Sequence, residues 1–154
     1  MSISQNKLQG WMVHRRALTN LLELIENEHT HYKPWESAFS FGEQFLHTAL
    51  TSHNFVAGLK EGYIEKPDQM PAFETMDDVR RIFHEFTDKT IAVLQEISDE
   101  DLEREVQFIN MKQLGKSWVH VMIDHEVHHK GQMFVYARLV GIEKLPFFIS
   151  TPAT

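Results

Sequence analysis

Apolar residues recur at intervals of three, four and their sums in four separate stretches, and no stretch alternates convincingly between apolar and polar positions. That spacing lines one face of an α-helix, whereas a half-buried strand needs a period of two. From about Ser4 to Glu28 the stripe is Leu8, Trp11, Met12, Leu18, Leu22 and Ile25. A second helix is predicted from about Ser40 to Glu61, with Phe41, Phe45, Thr48, Ser52, Phe55 and Leu59 on one face, widened by Leu46, Leu50 and Val56. Thr75-Met-Asp-Asp78 approaches a capping box and starts a third, striped by Val79, Phe83, Phe86, Thr90, Val93 and Ile97. Ser98-Asp-Glu-Asp101 reads as its stop, followed by an acidic turn or a single helical turn. The fourth helix follows Gly115 and Ser117 along Trp118, Met122, His125, His129, Gln132, Tyr136 and Val140, with Gly141 as its C-terminal cap.

Four such helices in 154 residues predict an all-α four-helix bundle with long connections, occupying residues 1–154 as a single domain. Pro34 marks the first connection and Gly62, Pro67 and Pro71 the second, whose length leaves simple up-down-up-down order open. Hydrophobic residues make up 42% of the chain, enough for one substantial core, and 11 phenylalanines make that core aromatic.

A net charge of −7, with no run of lysine or arginine able to track a phosphate backbone, argues against direct nucleic-acid binding. Cysteine is absent, so any metal must be held by imidazole, carboxylate or water. The N-terminal MSISQNKLQGWMVHRRAL lacks a signal-like apolar core, and no stretch approaches about 18 uninterrupted apolar residues. The expectation is a cytoplasmic protein without a membrane segment.

The densest chemistry lies in HEVHHKGQ, residues 125–132. His125 and His129 stand about 40° apart on one helix face and both fall on the inward seam, where unpartnered imidazoles are costly. They call for a polar partner or an ion. His128 also pairs with His125 at i, i+3, although the seam favours His129. His47, within the second helix, is the best-placed third ligand. His53 is its rival, and at six residues' distance, a turn of about 240°, the two cannot easily face one ion. His14, His29, His31, His84 and His120 have no special context. Gln132 sits on the seam, where it can orient a ligand. Gly131 costs about 1 kcal/mol inside a helix and suggests close approach of another helix.

These residues carry a resemblance. The helix-two histidine in FGEQFLHTAL, the preceding KPWESAFSFGEQ and the DHEVHHKGQ of helix four resemble the DinB-like, or DinB/YfiT-like, family of metal-dependent proteins, distinct from the DNA polymerase that shares the name. The likeness spans most of the chain. It implies a four-helix bundle in which His47, His125 and His129 hold a divalent metal, with zinc or nickel leading and iron or manganese open. It further implies a homodimer and, as in some branches of the family, a hydrolase or thiol transferase acting on a small molecule. Three imidazoles with water would make an open centre.

Three other readings compete. HEVHH satisfies H-E-x-x-H, which would make Glu126 the general base of a metallopeptidase, although the metzincin extension is missing. Glu126 and His129 could instead pair with Glu26 and His29 in a di-iron bundle. The third is a non-catalytic helical dimer whose metal serves structure or sensing, with a closed coordination shell.

Overall fold

A computed structural model describes residues 2–67 and 69–152. Four long helices, α1 (Ile3–Leu22), α2 (Phe41–Glu61), α3 (Met76–Glu96) and α5 (Gly115–Leu139), build the bundle, with a short α4 (Asp99–Glu103) before the last. α1, α2 and α3 each start on a reciprocal capping box, Ser2 with Gln5, Ser40 with Glu43 and Thr75 with Asp78. α1 ends six residues before the expected Glu28, because its last carbonyls find another helix. Arg80 of α3 donates to the carbonyls of Leu22 and Ile25, while Asn27, in a 3-10 turn, accepts from the Met76 amide that opens α3. α4 is the single acidic helical turn that Ser98 caps.

The expectation of helix and loop alone is corrected by a small three-stranded sheet. β1 (Tyr63–Ile64) runs parallel to β2 (Glu105–Phe108), which forms a hairpin with β3 (Met111–Leu114) in the register Glu105 to Leu114 and Phe108 to Met111. Two- and four-residue strands are too short to display a period, and Val106 alone is fully buried along β2. Trp118 Nε1 donates to the Val106 carbonyl at 2.8 Å and fixes the hairpin to the start of α5.

Pairings along the helices define their directions. Lys7 meets His120, Trp11 meets Glu126 and His14 meets Lys130, so α1 and α5 are parallel. Phe45 against Phe83 and Lys60 against the Glu96 carbonyl make α2 and α3 parallel too. Gln44 to Gln132, His47 to His125 and Phe55 to Trp118 make α2 and α5 antiparallel. Arg15 to Thr87 and Arg80 to Leu22 do the same for α1 and α3. α1 and α2 each pack chiefly on α3 and α5 and therefore occupy opposite corners. The order is up-down-down-up, which only long connections can join.

Two apolar clusters fill the bundle. One gathers Leu18, Phe41, Phe45, Phe83 and Met133, and the other Trp11, Phe55, Leu94, Trp118 and Met122. Arg15, Ser52, Thr87 and Glu126 fall between them along their respective helices and are all buried. A polar layer thus crosses the middle of the molecule. Gly131 is on the exposed face of α5, where a Cβ would meet no described atom within 4 Å, so the expected close helix approach is absent. Among the described residues no helix is long and apolar enough to cross a membrane.

Candidate metal centre

α2 and α5 cross with His47 facing His125 and His129. One ligand nitrogen from each ring lies within 4.8 Å of the others, and the Nε2 atoms of His47 and His125 are 3.0 Å apart. Ring centroids are separated by 4.4–4.9 Å, from His125 to His129 at the short end and His47 to His125 at the long end. Zinc–nitrogen bonds are about 2.0–2.1 Å, which puts two nitrogens of one ion at most about 4.2 Å apart; the His47–His125 pair lies within that reach, and the full group closes on one ion with a small shift of the rings. No carboxylate of the described residues joins the group.

The outer nitrogen of His129 is held from both helices. Nδ1 lies 2.9 Å from Gln44 Oε1 and 2.8 Å from Gln132 Oε1. Both partners are carbonyl oxygens, so Nδ1 carries the proton and Nε2 keeps its lone pair. Gln44 Nε2 in turn donates to Gln132 Oε1 at 3.0 Å and to the Tyr136 hydroxyl at 3.4 Å, and that hydroxyl donates to the Phe39 carbonyl at 2.9 Å. His125 turns Nε2 toward His47, and its other ring nitrogen, Nδ1, is buried without a hydrogen-bond partner among the described residues.

Burial also holds the rings neutral. It lowers His47 below the ordinary imidazole range. It pushes His125 down to about 3, with repulsion from His129, His47 and His128 acting the same way. His129 falls to about 4 through burial and His47, against an opposing hydrogen bond to Gln132. Neutral imidazole is the form that binds a cation, so proton competition is weak at neutral pH.

His128, the alternative on α5, is exposed; its ring centroid is 4.8 Å from that of His129, but it stands outside the converging nitrogens. His53 turns instead toward Phe86 on α3, with centroids 5.5 Å apart. Two side chains escaped the sequence reading. Gln44 is buried about one turn before His47 between Phe41 and Phe45, and Arg15 stands on the Trp11, Leu18, Leu22 stripe of α1. A polar residue at a core register was the available signal for both.

Glu126 faces away from the histidines into the polar layer. Its Oε1 accepts from Trp11 Nε1 at 2.8 Å, Arg15 Nη2 at 2.6 Å and Ser52 Oγ at 2.9 Å, and Oε2 accepts from Arg15 Nε at 2.7 Å. Arg15 reaches Thr87 as well and lies over the rings of Trp11 and Phe83. Both members of the pair are fully buried. A carboxylate turned away from the histidines with both oxygens taken is not placed to act as the base of a peptidase, which corrects that reading of HEVHH. Nor can it ligate di-iron: Glu26 is exposed, flanking the 3-10 turn that holds His29, and does not approach the site.

Clefts reach the centre from two sides. One of about 400 Å³ opens onto His129 between the Pro34–Phe39 segment and the last turns of α5. Another of about 420 Å³ includes Phe39, His47, Lys66 and Phe108, and a smaller one of about 240 Å³ includes Glu65, His47 and His125.

The DinB family model matches residues 1–151. The chain belongs to the DinB family. It is 33% identical over 151 residues to YjoA of Bacillus subtilis strain 168, an alignment covering 96% of this chain and 97% of YjoA. The crystal structure of YjoA superposes with a TM-score of 0.81 over 94% of this chain and 98% of that one, at 30% identity. A DinB-like protein from Bacillus cereus ATCC 10987 shares the fold at a TM-score of 0.77 and 18% identity, over 97% and 96% of the two chains. YfiT of Bacillus subtilis, described as a probable metal-dependent hydrolase with an unusual four-helix bundle topology, superposes at 0.68 and 14% identity, over 91% and 89%. At these last identities the likeness is one of fold.

Proposed function

We propose that this DinB-family chain is a metal-dependent hydrolase of a small molecule, with one divalent cation held by His47, His125 and His129. The observation that carries the reading is the convergence of three neutral imidazoles, from two helices, at the meeting point of open clefts. The close approach of the His47 and His125 Nε2 atoms and the fixed tautomer of His129, which leaves its Nε2 lone pair free, fit an incoming cation. An all-imidazole set suits zinc or nickel. The description of YfiT as a probable metal-dependent hydrolase supports the same reaction class.

A cation bound there supplies Lewis acidity, polarising a substrate oxygen and making water more acidic. The chain's own residues do the rest. Gln44 and Gln132 keep the His129 proton on Nδ1 and so keep Nε2 aimed and basic. Phe39, packed with its ring centroid 4.9 Å from that of His47, shields that imidazole on its open side. Glu126 takes no part in proton transfer; with Arg15 it fixes the depth of α5 relative to α1.

Elemental analysis of purified wild type and of His47→Ala, His125→Ala and His129→Ala tests the centre. The expected result is about one metal per wild-type chain and loss in each variant. Unchanged content in all three would sink it. Proton relaxation of the manganese-loaded protein then separates an open centre from a structural ion: rapidly exchanging water supports the hydrolase, and its absence, with unfolding on chelation, supports the structural role.

A further inference from the structure

The two sides of the histidine cluster offer a ligand different chemistry. On the His47 side the clefts carry Lys66 and Glu65. On the His129 side no lysine, arginine, aspartate or glutamate of the described residues lines the cleft, whose walls include Pro34, Trp35, Phe39, Val135 and Leu139. Its polar side chains are Ser37, exposed at the rim, and the Gln44, His129, Gln132 and Tyr136 group, whose members are already engaged with one another. Gln44 and Gln132 hold the His129 proton, Gln44 also donates to Gln132 and Tyr136, and the Tyr136 hydroxyl donates to the Phe39 carbonyl.

Away from the histidines, a charged group entering that cleft would shed water and meet no charged side chain of the described residues, whereas an apolar ring would meet aromatic and aliphatic walls. At about 400 Å³ the space lies in the range of small-molecule sites, about 300–1,000 Å³. The lips are apolar too: Trp35 is 62% exposed on one side, with Val135 at 53% and Leu139 at 58%, a turn apart, on the other. Phe39 stands in the walls of both this cleft and the one bearing Lys66, and divides them beside His47.

We infer that the His129-side cleft takes the uncharged, apolar, ring-bearing part of the substrate and presents the adjoining polar bond to the histidines. The inference rests on the metal-centre reading above and adds the substrate class to it. Phe39 is then a residue that determines specificity, separating an apolar compartment from a charged one.

Two dyes with one ring system provide the test on the full chain without metal: N-phenyl-1-naphthylamine, uncharged, and its 8-sulfonate, 8-anilino-1-naphthalenesulfonate. The uncharged dye should bind saturably at one site, quench tryptophan emission and outcompete the sulfonate by at least about tenfold. Val135→Asp and Leu139→Asp, at exposed positions that the fold tolerates, should each weaken it by about tenfold while helical circular dichroism and metal uptake stay unchanged. Equal affinity for the two dyes, or unchanged affinity in both variants, overturns the inference. Metal uptake without saturable dye binding also overturns it and leaves the metal centre standing. Dye binding in a chain that takes up no metal overturns the metal centre, and with it any role for the cleft in a metal-dependent reaction.

Discussion

His125 and Glu126 are neighbours on α5, yet they end in polar centres of opposite character. Around Glu126 both carboxylate oxygens are taken, by Arg15, Trp11 and Ser52, and neither member of the ion pair is exposed. Around His125 a buried ring nitrogen has no partner among the described residues and three like groups crowd together. Burial is costly for both, but the first centre recovers the cost within the protein and the second leaves part of it outstanding. A fully paired network sets the alignment of helices; an incompletely paired one is what the proposed metal centre requires. The difference follows from a step of about 100° around one helix.

Breaking the closed centre should have the largest effect. Glu126→Ala leaves the Arg15 charge buried and unpaired, and equilibrium unfolding in urea should show a loss of about 3–5 kcal/mol. A loss below about 1 kcal/mol would mean that Arg15 escapes to solvent and that the network does not hold the bundle.

Loosening the support of the open centre should cost less, and in a different quantity. Gln44→Leu removes one acceptor for His129 Nδ1, and chelator-competition titration should show metal affinity reduced by about 10–100-fold with the fold intact. Unchanged affinity would assign the orientation of His129 to packing and to Gln132.

The exposed face of α5 provides the smallest effect and the control for both. Gly131→Ala has free space for its Cβ and should raise stability by up to about 1 kcal/mol in the same urea assay, with metal uptake unaltered. Destabilisation there would reveal a helix approach that the packing does not contain.

The bundle was legible because its stripes are long: α2 and α3 are each 21 residues, several turns of repeated spacing, and their capping signals stand at their first residues. The hairpin was not, since β2 and β3 have four residues each and owe their pairing to Trp118 and the neighbouring turn rather than to a pattern of their own. At the site, seam register singled out His125 and His129, and position within the second helix made His47 the best-placed third ligand, with the family resemblance favouring it over His53. The role of Glu126 was hidden by a familiar five-residue motif. A motif fixes spacing along one helix, but the direction in which its middle residue points depends on what α1 brings opposite, and Arg15 is 111 positions away in sequence. Helix order was hidden for the same reason, because parallel pairs such as α1 and α5 are specified by distant contacts.

α2 contributes to both centres at once, with Gln44 and His47 toward the histidines and Ser52 toward Glu126, and α5 answers from His125 to Gln132. Inserting a single residue after Gln44 would swing His47 and Ser52 about 100° away together, while Gln44 stayed in place. Over these spans the chain should therefore tolerate exchanges at its unpaired positions far better than a change of length. Between the helices the reverse holds, and the connections can absorb the insertions and deletions that the two paired segments refuse.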